Sequence, residues 1–180
     1  MGMRNKKKGS AAIRVALAGM LVALSVVILF AGYATGVMDL TAIAAASVLS
    51  AIAVVELGGI YPYLVWGAVS AVAFMLVPGS LAAGYFIFGG IYPMLKMQFE
   101  KLPRIIEWVV KLLYGAAVLV VLYFASKLLF GEVMETGWIM IGLAVGYGLF
   151  FILYDYALSV AMTLYMVRLR PKLTFLKKLR

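Results

Sequence analysis

The sequence predicts an all-α integral membrane protein, a bundle of six transmembrane helices with the N- and C-termini in the cytoplasm. Of the 180 residues, 66% are hydrophobic and only 13% are charged, whereas soluble proteins are about 45–50% apolar and about 25% charged. Six apolar runs follow one another along the chain, and about 20 apolar residues are enough to cross a bilayer. Basic residues gather between alternate runs, as they do in the cytoplasmic loops of membrane proteins.

The basic residues form three groups on one side of this predicted topology. The groups lie at 4–14, 96–111 and 168–180 and hold 15 of the 16 Lys and Arg residues. We therefore expect a basic cytoplasmic segment at 1–10, a six-helix transmembrane domain at 11–170 and a basic cytoplasmic tail at 171–180. The alternative is five crossings, with the second and third runs as a re-entrant pair. The charge distribution argues against it, because removing one crossing would place basic groups on both sides of the membrane.

The first three helices are delimited by turn-forming residues. The first helix is predicted from Ala11 to Gly32, and Asp39 is placed to cap the second, which ends near Leu57. Gly58-Gly59 then breaks the chain, and Pro62 stands in the favoured first turn of the third helix.

The last three helices are longer or less regular. The fourth is predicted from Leu81 to Met97, with a kink or an early end at Gly89-Gly90 and Pro93. The fifth runs from Ile105 to Phe130. The sixth runs from Trp138 to Arg168, which exceeds the hydrocarbon core and predicts a tilted or protruding helix.

The pentapeptide Gly-Gly-Ile-Tyr-Pro occurs twice, at 58–62 and 89–93. Both copies fall at predicted cytoplasmic ends of helices. Broken helices in repeated halves line the substrate sites of many transporters. Alternatively, the copies only terminate helices, with Tyr as an interfacial anchor.

Asp155 is the residue that most strongly suggests a site, because a carboxylate within a membrane helix costs about 2.5–3.5 kcal/mol on insertion scales. It is either a ligand for a substrate or coupling ion, or a structural carboxyl bonded to Tyr hydroxyls or backbone amides. Tyr147 lies two turns before Tyr154 and shares its helix face. Lys127 is either an interfacial cation or an anchor for an anionic substrate. Glu56 either reaches the headgroups or pairs with a basic group such as Lys96.

Small residues recur at four-residue spacing on two helices. On the first helix the two adjacent rows include Ala12 with Ala16, and Gly19 with Ala23. The second helix carries Ala42, Ala46 and Ser50. Small residues let membrane helices approach closely, so the stripes serve either internal packing or docking onto another protein.

Signatures of enzymes and cofactors are missing from the sequence. The chain has no Cys or His, so the usual zinc, iron–sulfur, thiol and His-base chemistries are excluded. It has no phosphate loop and no nucleophile elbow. We expect a non-enzymatic protein without a cofactor, whose basic residues meet membrane lipids rather than nucleic acid.

The basic start and the run Ala12–Ser25 resemble the substrate-binding S component of energy-coupling-factor (ECF) transporters, as do the chain length, six helices and internal termini. In that family an Ala-xxx-Ala stripe docks onto a transmembrane coupling subunit, and Ala12 and Ala16 match it. The resemblance implies capture of a small, vitamin-like solute from the external face, and two partner ATPases. It also implies an aromatic pocket, for which the candidates are Tyr33, Tyr123, Trp138 and Tyr147.

Two other classes of function stay open. The size and helix count are also similar to those of small rod-shape-determining membrane proteins, which would make the chain a scaffold of cell-envelope assembly with a structural Asp155. A weaker alternative is a lipid-modifying enzyme that uses Asp155 or Glu56.

Overall fold

The structure, a computed structural model, describes residues 2–36, 39–77, 79–130 and 138–172, and these ranges contain helices and no strand. The predicted all-α class is therefore confirmed. The α-helices are α1 (Gly2–Thr35), α2 (Asp39–Glu56), α3 (Tyr61–Leu76), α4 (Gly79–Gly84), α5 (Tyr92–Phe99), α6 (Arg104–Phe130) and α7 (Trp138–Leu164). A π-helical segment, Tyr85–Gly90, joins α4 to α5, and a second, Tyr165–Leu169, continues α7 into a short 3₁₀ turn, Arg170–Lys172.

Part of the described chain is suited to a membrane by length and composition. Three helical stretches are long and apolar enough to cross one, namely Ala11–Thr35, Asp39–Glu56 and Ala144–Lys172, and Tyr61–Leu76 is apolar but shorter. Six crossings and the orientation of the termini remain predictions.

Glycines with positive φ follow α1 and α2, and the break after α2 lies at Gly58-Gly59, as the sequence predicts. Gly36 follows α1 with φ 67°, and Gly58 and Gly59 follow α2 with φ 62° and 57°. A side chain beyond Cα disfavours these left-handed values, so glycine is the residue that ends the helices here. Pro62 then lies in the first turn of α3.

The described residues form two compact units. Unit 1 comprises those of Met1–Leu95 and Val160–Arg180, and unit 2 is Lys96–Ser159. In unit 1, α1 packs against α2 and α3 around a core that includes Leu29, Val65 and Val69. The α2 stripe of Ala42, Ala46 and Ser50 is buried, so this stripe serves internal packing.

Unit 2 has a narrower core along α6 and α7. Val118 of α6 and Phe151 and Leu158 of α7 are buried, and the ring of Phe151 lies 3.5 Å from where a Cβ of Gly115 would be. Other faces of α6 expose large apolar side chains such as Ile105 and Leu113. Exposed faces of this composition suit a lipid environment.

Candidate functional site

Asp155 of α7 contacts two lysines that come from different parts of unit 2. Its Oδ1 accepts a hydrogen bond from Lys96, in the last turn of α5. Its Oδ2 accepts one from Lys111, two turns into α6, at 3.1 Å. Lys96 also donates to the Asp155 backbone carbonyl at 3.1 Å. One carboxylate therefore connects three helical segments.

Two glutamates extend this contact into a chain of alternating charges. Glu100 lies 3.3 Å from Lys96, and Glu107 lies 2.6 Å from Lys111. Each glutamate is four residues from its lysine, a spacing that places the two side chains side by side on a helix. The charge cluster is thus Glu100, Lys96, Asp155, Lys111 and Glu107, in that order.

The interior of the charge cluster is closed to solvent and its ends are open. The side chains of Lys96, Asp155 and Lys111 are 7%, 8% and 3% exposed, whereas Glu107 is 19% and Glu100 48% exposed. Buried charges are tolerated when they are paired and hydrogen-bonded. Every buried member of the charge cluster has a partner of opposite sign, so the cluster holds its helices together electrostatically.

The sequence identified Asp155 but not its partners. The structural alternative for Asp155 invoked Tyr hydroxyls or backbone amides, and the structure places two lysine ammonium groups at its carboxylate. From the sequence, Lys96 and Lys111 are both assigned to the cytoplasmic charges that set the topology, and Lys96 is considered as a partner of Glu56 but not of Asp155. A signal was present, because Lys111 lies seven residues inside an apolar helix and its side chain would need a carboxylate there.

The other predicted substrate-binding residues are distributed over both units. Tyr147 lies on α7 of unit 2 and is half-buried, whereas Tyr33 lies in unit 1 and is 44% exposed. Tyr123 and Lys127 are on α6 and Trp138 begins α7, but their side chains lie outside the described part of the chain. Whether these residues form one solute site remains a prediction.

The small-residue stripe of α1 faces outward along its length. Ala12, Ala16, Gly19 and Ala23 are all exposed, and the space around a Cβ built on Gly19 is open to at least 4 Å. The inward face of the same helix buries larger residues, including Leu21 and Leu29. We call these four positions the docking stripe. Unlike the stripe of α2, it takes no part in the core of unit 1.

A second buried carboxylate lies at the end of α2 in unit 1. Glu56 has a side chain only 3% exposed and forms an ion pair with Arg170, whose Nε lies 2.8 Å from Oε1. The structure therefore pairs Glu56 with the C-terminal segment and not with Lys96, which the sequence suggested as a partner.

Neither a metal site nor a known relative identifies the chemistry of the protein. Within the described ranges, no group of three or more acidic, His or Cys side chains is arranged to hold a metal ion. No protein-family model, curated protein or solved structure matches this chain.

Proposed function

We propose that this chain is a multi-pass, non-enzymatic membrane subunit that captures a small solute and docks onto a partner through α1, similar to the S component of ECF transporters. The observation that carries the proposal is the outward orientation of the docking stripe. Small residues on an exposed helix face allow another membrane helix to approach closely, where van der Waals contact stabilises the pair.

The contrast between the two stripes supports a docking role. On α2 the small residues are buried by neighbouring helices of unit 1, so their close packing is already satisfied. On α1 the docking stripe is flanked by exposed Val15 and Met20, which are 61% and 57% exposed. A groove of small residues with larger apolar residues beside it matches the surface of a packed membrane helix.

The partners follow from the similarity to S components. Because the sequence has no phosphate loop, a subunit of that class would depend on a separate coupling subunit and two ATPases for transport. We place both termini in the cytoplasm and the solute on the external face. The basic helix ends then meet anionic lipid headgroups.

A scaffold of cell-envelope assembly is the second candidate, and the charge cluster favours it. Both Asp155 carboxylate oxygens accept hydrogen bonds from lysines of the same chain. A carboxylate engaged in this way acts as a structural residue, which is the role that the scaffold assigns to it. The docking stripe would then bind assembly proteins instead of a coupling subunit.

Affinity purification from native membranes separates these candidates. The tagged chain is isolated in mild detergent, and mass spectrometry identifies co-purifying proteins and bound small molecules. A coupling subunit with two ATPases and a retained solute would support the transporter subunit. Recovery of cell-wall assembly proteins, with no small molecule bound to the chain, would support the scaffold and contradict the transporter subunit.

A matched pair of variants tests the docking stripe itself. Ala16→Phe places a bulky ring on the docking stripe, whereas Leu24→Phe changes an exposed residue of α1 that lies off the stripe. We expect Ala16→Phe to abolish partner recovery and Leu24→Phe to preserve it, with solute retained by both. Equal partner recovery from the two variants, or loss of solute from a folded Ala16→Phe protein, would count against docking by this face.

A further inference from the structure

The turn between α5 and α6 in unit 2 carries two exposed cations. Lys101 lies in the turn and Arg104 is the first residue of α6, and both side chains are exposed. Among the side chains that the structure describes, neither cation has an acidic partner, whereas Glu100 and Glu107 on either side of them are paired with the buried lysines of the charge cluster. The turn therefore offers two positive charges to a partner outside the chain.

The charge of this region stays positive when the charge cluster is counted. The charge cluster contains two lysines and three carboxylates, and so has a net charge of −1. Lys101 and Arg104 add +2, which leaves the region with a net charge of +1. A partner that binds here through electrostatic attraction is therefore anionic.

The exposed residues of α6 change in character along one helix face that begins at this turn. Arg104, Trp108 and Leu112 are four residues apart, a spacing that places them on the same face of a helix, and all three are exposed. We call these three residues the α6 row. Each step along the row is about 6 Å, at about 1.5 Å per residue. The row thus passes from a cation through an indole ring to an aliphatic side chain within about 12 Å.

The surface of a bilayer presents the same order of chemical groups on the same scale. The headgroup region is about 5–7 Å thick on each side of the hydrocarbon core, and Trp is enriched where the headgroups meet the acyl chains. With Trp108 at that boundary, Arg104 reaches the lipid phosphates and Leu112 reaches the acyl chains. An acidic protein surface in water would match the cations but would leave the apolar part of the α6 row without a partner.

We infer that Lys101 and the α6 row form a binding surface that selects acidic phospholipids over zwitterionic ones. This inference rests on the membrane location in the proposed function, and it adds one lipid-binding surface and the headgroup charge that this surface selects. Each basic charge near a membrane surface attracts anionic lipid by about 1 kcal/mol. A net charge of +1 therefore corresponds to about a fivefold enrichment of acidic lipid beside Trp108.

Quenching of Trp108 fluorescence by brominated lipids tests this inference. The full chain is reconstituted into two sets of vesicles with the same proportions of phosphatidylglycerol and phosphatidylcholine, with bromine on the acyl chains of only one lipid in each set. The difference between wild type and Trp108→Phe isolates the signal of this residue from the other two Trp residues. The ratio of quenching in the two sets then gives the enrichment of phosphatidylglycerol beside Trp108, which we expect to be about fivefold.

Three variants separate the surface from the net charge of the chain. Lys101→Gln/Arg104→Gln changes two exposed side chains and leaves the region with a net charge of −1, so the enrichment should fall to one or below. Lys101→Arg/Arg104→Lys keeps both charges and should keep the enrichment. Arg168→Gln/Lys172→Gln removes the same charge from exposed residues of unit 1 and should leave the ratio at Trp108 unchanged.

Four results would overturn the inference. In the wild type they are a quenching ratio of one, or no quenching of Trp108 by either lipid, which would mean that protein or water covers this surface. In the variants they are an unchanged ratio in Lys101→Gln/Arg104→Gln, or an equal fall in Arg168→Gln/Lys172→Gln, which would make the enrichment an effect of net charge alone.

Failure of this inference is distinguishable from failure of the proposed function. If both lipids quench Trp108 equally and native purification recovers a coupling subunit and a solute, only the selection of acidic lipid is wrong. If the enrichment is found but purification recovers neither, the lipid surface stands and the solute-capturing function is wrong.

Discussion

Replacement of Asp155 by Asn is the most direct test of the charge cluster. Asparagine has nearly the same shape as aspartate but carries no charge, so the change removes the counter-ion of two buried lysines and little packing. Lys111 keeps Glu107 at 2.6 Å, and Lys96 keeps only Glu100, which is 48% exposed. Most of the loss in the free energy of unfolding should therefore come from Lys96, which keeps the weaker remaining partner.

The size of the effect follows from the geometry and burial of the pairs. For Lys111 and Asp155, whose charged atoms are 3.1 Å apart, the Coulomb energy is about 5 kcal/mol at an effective dielectric constant of about 20. Desolvation offsets much of this in the folded protein, but the lysines stay buried when Asp155 loses its charge. Removal of one partner of a buried pair costs about 3–5 kcal/mol, and we expect the lower end because both lysines retain a glutamate.

Unfolding of the purified protein by SDS in mixed micelles measures this difference. The chain contains three Trp residues as fluorescent reporters, and Trp108 lies 5.5 Å from the Lys111 ammonium. Glu100→Gln is the matched control on the same lysine, and loss of its exposed i,i+4 pair should change stability by about 0.5 kcal/mol or less. Lys96→Met combined with Asp155→Asn should be more stable than Asp155→Asn alone, because no lysine is then left without its main counter-ion.

Two results would refute this reasoning. If Asp155→Asn unfolds within about 0.5 kcal/mol of the wild type, as an ordinary surface substitution would, the pairs add nothing to stability. If the double variant loses the full sum of the two single losses, Lys96 and Asp155 are not energetically coupled.

The same unfolding assay tests two further contacts. Arg170→Gln removes the ion partner of Glu56 and should lower the free energy of unfolding by about 1–2 kcal/mol, a value reduced because Arg170 is 33% exposed. Arg168→Gln, the control at an exposed neighbouring residue, should leave stability nearly unchanged. Equal losses of stability in the two variants would show that the Glu56–Arg170 pair does not stabilise the protein. Gly90→Ala places a Cβ 2.4 Å from Trp66 Cδ1 and should cost about 1–3 kcal/mol by overpacking. Gly67→Ala is the control, because a Cβ at Gly67 meets open space, and it should gain up to about 1 kcal/mol of stability from helix propensity. A Gly90→Ala variant as stable as the wild type would contradict the close packing of Gly90 against Trp66.

The repeated pentapeptide shows how far local sequence determines structure. In the first copy, Gly58 and Gly59 have positive φ and separate α2 from α3. In the second, Gly89 and Gly90 are buried within the π-helical segment, where a Cβ would meet Ile43 and Trp66 at 2.6 and 2.4 Å. The same five residues end a helix in one place and allow close helix packing in the other. The two copies differ only in the residues that surround them in space, and a sequence motif carries no information about those residues.

The sequence by itself determined the helical class and the break at Gly58-Gly59, because apolar runs, Gly and Pro act through the backbone within one or two helical turns. Most described helix ends lie within a few residues of the prediction, but α1 begins at Gly2 and not at Ala11. The sequence also located Asp155, since an acidic residue in an apolar helix is conspicuous without any context. Only the tertiary structure decided that Lys96 and Lys111 are its partners, 59 and 44 residues away in the chain. The same is true of the two small-residue stripes, which are alike in sequence but face opposite surroundings. Pairing and burial depend on which helix faces meet, and that depends on the packing of the whole unit rather than on any local pattern.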